Sequence, residues 1–120
     1  MRWLGVAIVS CWLAVFAAPA SAGDQEDFNE AVRAYKAGDY QKAFRLLKPL
    51  AEKGYSQAQF NLGSMYQDGQ GVPQDYVKAY AWYSVSATQG YKDAKHNLDI
   101  LVKILIPAQL AKGQELAAEY

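Results

Sequence analysis

Three groups of residues have types and spacings that could do chemistry. His96 is the single histidine of the chain. As a general base it would need a serine or carboxylate partner. Asp93 and Asp99 stand near it in sequence and Ser64 is a candidate in space, but no nucleophile elbow or oxyanion motif accompanies them. One histidine without a cysteine cannot assemble a typical transition-metal site. Gly69-Gln70-Gly71 has the outline of a phosphate loop. A dinucleotide fingerprint needs a strand before it and a third glycine after it, and Gln74 stands where that glycine would be. Tyr76, Tyr80, Trp82, Tyr83 and Tyr91 could stack on sugars or bases, yet at helical spacing such a cluster reads as core. The expectation is a chain with no catalytic residue, no metal and no cofactor, and so not an enzyme.

Charge narrows the partners. Twelve basic residues balance twelve acidic ones, so the basic footprint needed to displace phosphate counterions is missing and nucleic acid is not expected. Electrostatic docking on anionic lipid is disfavoured for the same reason. Residues 1–22 read as a signal peptide. Arg2 is followed by an uncharged apolar run, Pro19 breaks it, and Ala20-Ser21-Ala22 places small residues where signal peptidase needs them. Cleavage after Ala22 would leave a periplasmic or secreted chain starting at Gly23, with no membrane attachment. An uncleaved anchor remains the alternative, since about 20 apolar residues span a bilayer. The one cysteine, Cys11, lies in this leader, so the mature chain would have neither disulfide nor thiol nucleophile.

The elements that position these residues follow from a repeat. Asp39-Tyr40, Lys42-Ala43, Ala51 and Gly54 recur 36 residues later as Asp75-Tyr76, Lys78-Ala79, Ala87 and Gly90. Gly54-Tyr55, Ala58 and Asn61-Leu62 recur at the same offset as Gly90-Tyr91, Ala94 and Asn97-Leu98. A fixed period of this size signals stacked units, each too small to bury its own apolar face. Ala58, Leu62 and Tyr66 keep a four-residue step, and Tyr76, Ala79, Tyr80, Tyr83 and Ala87 a three-to-four step, so each unit is a pair of helices. Gly54 and Gly90 suit left-handed helix ends, and Asp75 a helix N-cap. Asp39 with Lys42 and Asp75 with Lys78 read as charge pairs on solvated faces. Between Tyr66 and Asp75 lie five residues more than between Tyr35 and Asp39. In that loop two glycines can take positive φ, Val72 can dip into the core, and Pro73 stiffens the approach to the next helix.

The segment from Ala58 to Gly90 strongly resembles a Sel-one-like repeat, a relative of the tetratricopeptide repeat with a longer loop carrying Gly-x-Gly-Val. The matching residues are Ala58, Leu62, Gly63, Tyr66, Gly69, Gly71, Val72, Asp75, Ala79, Trp82, Tyr83, Ala87 and Gly90. Tyr80 lies off the pattern and is the aromatic to watch for exposure. Phe28 to Gly54 matches with the short loop of an ordinary tetratricopeptide hairpin. The resemblance implies an all-α solenoid of helical hairpins in one domain, residues 23–120. Hairpin 1 covers about 25–54, hairpin 2 about 55–90, and a half-repeat with a C-terminal capping helix about 91–120. Pro107 opens the cap, whose outer face carries Lys112, Gln114, Glu115 and Glu119.

Repeats of this family commonly serve as adaptors, often in the bacterial envelope, so the resemblance implies a protein or peptide partner held on a concave face of first helices. The core set expected is Ala58, Leu62, Gly63, Tyr66, Ala79, Trp82 and Ala87. With Leu62-Gly63-Tyr66 as the buried register, Gln57, Phe60, Ser64 and Gln67 face the groove. Transferred to Ala31-Val32-Tyr35 the register gives Glu26, Asn29, Arg33 and Lys36. Transferred to Leu98-Asp99-Val102 it gives Asp93, His96, Ile100 and Lys103. Phe60 and Ile100 would be apolar anchors, Arg33 a carboxylate ligand, and Phe60 could equally seal a neighbouring helix. Two alternatives come from other classes: a small periplasmic enzyme that binds or hydrolyses β-lactams, and a membrane-tethered spacer.

Overall fold

The computed structural model describes residues 22–120 as six helices: α1 (Ala22–Lys36), α2 (Tyr40–Glu52), α3 (Ser56–Asp68), α4 (Tyr76–Thr88), α5 (Lys92–Ile104) and α6 (Pro107–Glu119). The expected leader, apart from its last residue, lies outside the described residues. Among these residues no helix is long and apolar enough to cross a membrane. The architecture is an all-α solenoid. Helices α1 and α2 form one hairpin and α3 and α4 a second, α2 packs on α3, and α5 packs on α4.

The second helix of each hairpin starts the same way. The carboxylate of Asp39 accepts from the Lys42 backbone N–H at 3.2 Å, and that of Asp75 from the Lys78 backbone N–H at 3.0 Å. These aspartates are therefore N-caps, each satisfying an otherwise orphaned first-turn donor. The expectation that they form surface charge pairs with the lysines is corrected: the Lys42 ammonium bonds Glu30 at 2.6 Å, and that of Lys78 lies over the Tyr66 ring. Gly54 and Gly90 end α2 and α4 at positive φ, as expected.

The core runs along the seam between first and second helices. Leu62, Met65, Ala58, Ala79, Trp82 and Tyr83 are buried together with Ala31, Ala43 and Leu47 of the first hairpin. Gly63 is what lets α3 and α4 close. A Cβ at that position would stand 2.6 Å from the Tyr83 ring, nearer than carbon atoms can approach. Tyr80 is buried rather than exposed, because α6 crosses α4 at Gly113, where a Cβ would again meet an aromatic ring at 2.6 Å. Ala87 is half-buried at the edge of the core rather than inside it.

The third unit departs from the first two. Helix α6 packs on α4 instead of closing a hairpin on α5, with Tyr120 stacked on Trp82 at 4.0 Å between ring centroids. The register Leu98-Asp99-Val102 is accordingly corrected. Ala94, Leu101 and Leu105 are buried, Leu98 is half-buried, and Asp99 and Val102 are exposed, since no helix lies where α4 lies on α3. In α1 the register Ala31-Val32-Tyr35 also shifts: Ala31 and Ala34 are buried, while Val32 and Tyr35 are half-buried.

Candidate functional site

A cavity of about 330 Å³ opens between the first helices of the two hairpins. Its walls come from Ala31, Val32, Tyr35 and Lys36 of α1, Leu47 of α2, and Phe60, Asn61 and Ser64 of α3. Ala31, Val32, Leu47 and Phe60 make the lining mainly apolar, and Tyr35, Lys36, Asn61 and Ser64 are its residues with polar side-chain atoms. Such a lining favours an apolar group, with a few polar contacts to orient it.

The rim is held by hydrogen bonds that originate in the second hairpin. The Tyr83 hydroxyl donates to Gln67 Oε1 at 2.7 Å and lies 3.1 Å from the Ser64 Oγ. Burial pushes the Tyr83 phenol above its ordinary value, with the hydroxyl of Ser64 partly opposing that shift, so the group stays neutral and serves as a donor. A neutral phenol cannot take a proton from Ser64. Phe60 packs at a tilt on Tyr91 and Tyr83, at centroid distances of 5.1 and 5.7 Å, and also lines the cavity. It both seals the α4–α5 junction and lines the groove.

The glycine loop after α3 fixes the opposite wall. Gln70 accepts from the Tyr35 hydroxyl at 2.8 Å. Gly71, at φ +75°, comes so close to the first turn of α2 that a Cβ would lie 2.7 Å from the Tyr40 carbonyl oxygen. Only glycine meets both demands. Val72 packs on the core behind it. The sequence offers this loop as a phosphate cradle or a hairpin turn. It is a turn that braces the preceding hairpin.

The ten groove candidates separate into four places. Lys36, Phe60 and Ser64 line the cavity, and Gln67 sits on its rim through Tyr83. Gln57 is exposed at the start of α3. Asn29 and Arg33 lie in a shallow polar cleft with Glu26, Asp27 and Glu30, where Glu30 takes the Arg33 guanidinium at 2.7 Å. Arg33 and Lys42 hold the Glu30 carboxyl down at about 2, with the Lys42 hydrogen bond the larger cause. His96, Ile100 and Lys103 are exposed on α5, outside the cavity. Val32, Tyr35 and Asn61 line the cavity but were assigned to the core or passed over.

A second depression, on the side of the second helices, is lined by Lys48, Glu52, Tyr66, Lys78, Trp82, Glu119 and Tyr120. The Trp82 indole N–H there has no hydrogen-bond partner among the described residues. Among those residues no group of three or more histidine, cysteine or acidic side chains converges to hold a metal.

Comparison with known proteins follows the geometry. The Sel1 repeat model matches residues 34–55 and 56–91. An exopolysaccharide production negative regulator of Rhizobium leguminosarum bv. viciae is 34% identical over 79 residues, covering 66% of this chain and 30% of the relative. DAP3-binding cell death enhancer 1 of Rattus norvegicus is 46% identical over 44 residues, 37% of this chain and 9% of that one. A crystal structure of a protective antigen of uropathogenic Escherichia coli strains, displaying an SLR fold, superposes with a TM-score of 0.74 at 33% identity. It covers 81% of this chain and 22% of that one. The chain thus spans less than a third of the length of each. The matched stretch holds α2, α3, the glycine loop and α4, and residues 34–91 of the chain are Sel1 repeats.

Proposed function

We propose that the chain is a protein-binding adaptor of the bacterial envelope, which holds a peptide or helix of its partner along the concave face of α1, α3 and α5. Sel1 repeat proteins are generally adaptors for protein interactions. The observation that carries the finer reading is the α1/α3 cavity, with its apolar floor and the Lys36 ammonium at its edge. A stacked array offers an extended groove, which suits a peptide or helix presenting an apolar anchor. Phe60 and Val32 would grip that anchor, Lys36 would meet a carboxylate beside it, and Asn29, Arg33, Gln57, Ser64, Gln67, His96, Ile100 and Lys103 would extend the contact. The Rhizobium relative is named for exopolysaccharide production, which is in keeping with an envelope setting. The leader supports it further: residues 1–22 carry the export pattern, and 23–120 form the working domain.

Crosslinking tests both parts. A photo-reactive residue at Val32 should trap one periplasmic partner, and the same residue at Glu115 on the cap should not. Replacing Phe60, Arg33 and His96 together should abolish capture with the helical fold kept, at a lowered melting temperature because Phe60 also packs on Tyr83 and Tyr91. Capture retained by that folded variant would move the partner site elsewhere. Mass spectrometry of the exported protein should find Gly23 first, and a chain still beginning at Met1 would refute export by cleavage.

A further inference from the structure

The depression on the side of the second helices, where α2, α3, α4 and the end of α6 meet, has a volume of about 390 Å³ and shares no residue with the α1/α3 cavity. Its walls carry both signs of charge: the ammonium groups of Lys48 and Lys78 and the carboxylates of Glu52 and Glu119. Only Lys48 and Glu52 approach each other, at 4.0 Å. Lys78 and Glu119 enter no ion pair among the described residues. A bare anion seated here is drawn by the lysines and repelled by the glutamates, and a bare cation the reverse. An apolar group strips water from four charges and returns nothing. Neighbouring hydroxyls suit the walls better, because each can donate to a carboxylate and accept from an ammonium.

An aromatic plate borders the same space. Tyr120 stacks on Trp82 with ring centroids 4.0 Å apart and planes 17° from parallel. One face of the Tyr120 ring is thereby taken, yet the residue stays 42% exposed and lines the depression, so the other face is the one left open. The face of an aromatic ring is electron-rich and attracts C–H groups with slight positive charge. Trp82 is core, as its helical spacing implies, and Tyr120 supplies the platform from outside the aromatic cluster of α4.

The third observation is the Trp82 indole. Trp82 is 2% exposed and its N–H has no partner among the described residues, a state in which buried donors are rarely left. Trp82 also belongs to the lining of the depression. An acceptor oxygen at the bottom of that space is the partner the fold itself does not provide.

We propose that this depression is a saccharide-binding site, which takes an uncharged pyranose unit of a glycan with its C–H face on Tyr120. A pyranose combines what the three observations ask for: an apolar C–H face, a rim of hydroxyls for Lys48, Glu52, Lys78 and Glu119, and oxygens that can accept from the Trp82 N–H. The site stands apart from the concave contact proposed above, so glycan and protein partner are held independently.

Trp82 reports on its own site. With Trp3→Phe and Trp12→Phe it is the sole tryptophan of the full chain, and its fluorescence follows what sits beside it. Cellotetraose, mannotetraose and xylotetraose serve as neutral glycan probes, with sodium acetate and tetramethylammonium chloride as bare ions. At least one glycan should change the emission saturably, and neither ion should do so at the same concentration. Tyr120→Ala should weaken that binding roughly tenfold, and Tyr120→Phe, which keeps the ring, should retain most of it. Lys78→Met with Glu119→Gln alters two exposed side chains, and should weaken binding about tenfold with the circular dichroism spectrum unchanged. The proposal is overturned if none of the three glycans binds, or if either bare ion gives the same response. Glycan binding indifferent to the Lys78 and Glu119 substitutions, or lost as fully in Tyr120→Phe as in Tyr120→Ala, overturns it too.

Discussion

The second hairpin and the third unit carry related sequences 36 residues apart and treat them differently. Tyr66 is nearly buried, wedged against Phe44 under the ammonium of Lys78, whereas Val102 at the matching position is exposed. Gly63 lies against Tyr83, whereas Asp99 faces outward. The positions that stay buried in both units, Ala58 with Ala94 and Met65 with Leu101, are those facing the preceding second helix. Burial in a stacked array is thus set by two neighbours separately. The face toward the previous unit is buried in every unit, and the face toward the unit's own second helix is buried only where that helix returns.

The comparison predicts unequal costs for matched substitutions, measured by denaturant unfolding at dilute concentration. Leu62→Ala should cost about 2–5 kcal/mol, while Val102→Ala should stay within about 0.5 kcal/mol. Equal losses at the two sites would mean that α5 is covered after all. Gly63→Ala drives a Cβ into the Tyr83 ring and should cost about 1–3 kcal/mol, whereas Asp99→Ala should cost almost nothing. Asp75→Ala removes the cap of α4 and should cost about 1 kcal/mol, with Asp39→Ala close behind in α2.

The smallest effect expected is one of pH. The folded Glu30 carboxyl sits at about 2, below its unfolded value of about 4.3. Its contribution is therefore complete above that unfolded value and fades as pH falls towards 2. Both partners are exposed, so the change should be slight. Glu30→Gln should flatten this part of the stability profile, and an unaltered profile would show that the ion pairs do not hold α1 to α2.

Most of this fold could be read from the sequence because the repeat states its own period. The offset of 36, the glycine loop and the Asp75 cap are local signals, and each is seen where it was expected. Three things were not legible. The partners of the Lys42 and Lys78 ammonium groups were not, because charge spacing cannot tell a side-chain pair from a carboxylate bonded to the backbone N–H. What covers Tyr80 was not legible, because Gly113, which lets α6 settle on it, lies 33 residues further on in a helix without a repeat counterpart. The α5 register failed because it was copied from a unit whose second helix closes. The groove was half legible: Lys36, Phe60 and Ser64 follow from the α3 register, but Val32 and Tyr35, placed in the buried register, are half-buried and line the cavity.

The glycine loop of the second hairpin has a consequence for the first. It touches α2 at the Tyr40 carbonyl and α1 through Tyr35, and Tyr35 is itself a wall of the cavity. The loop therefore works as a calliper, setting how far apart α1 and α3 stand. Lengthening or shortening it by a residue would change the bore of the groove without altering one residue that lines it. The width of the proposed groove could then evolve through a turn outside it, leaving its lining intact.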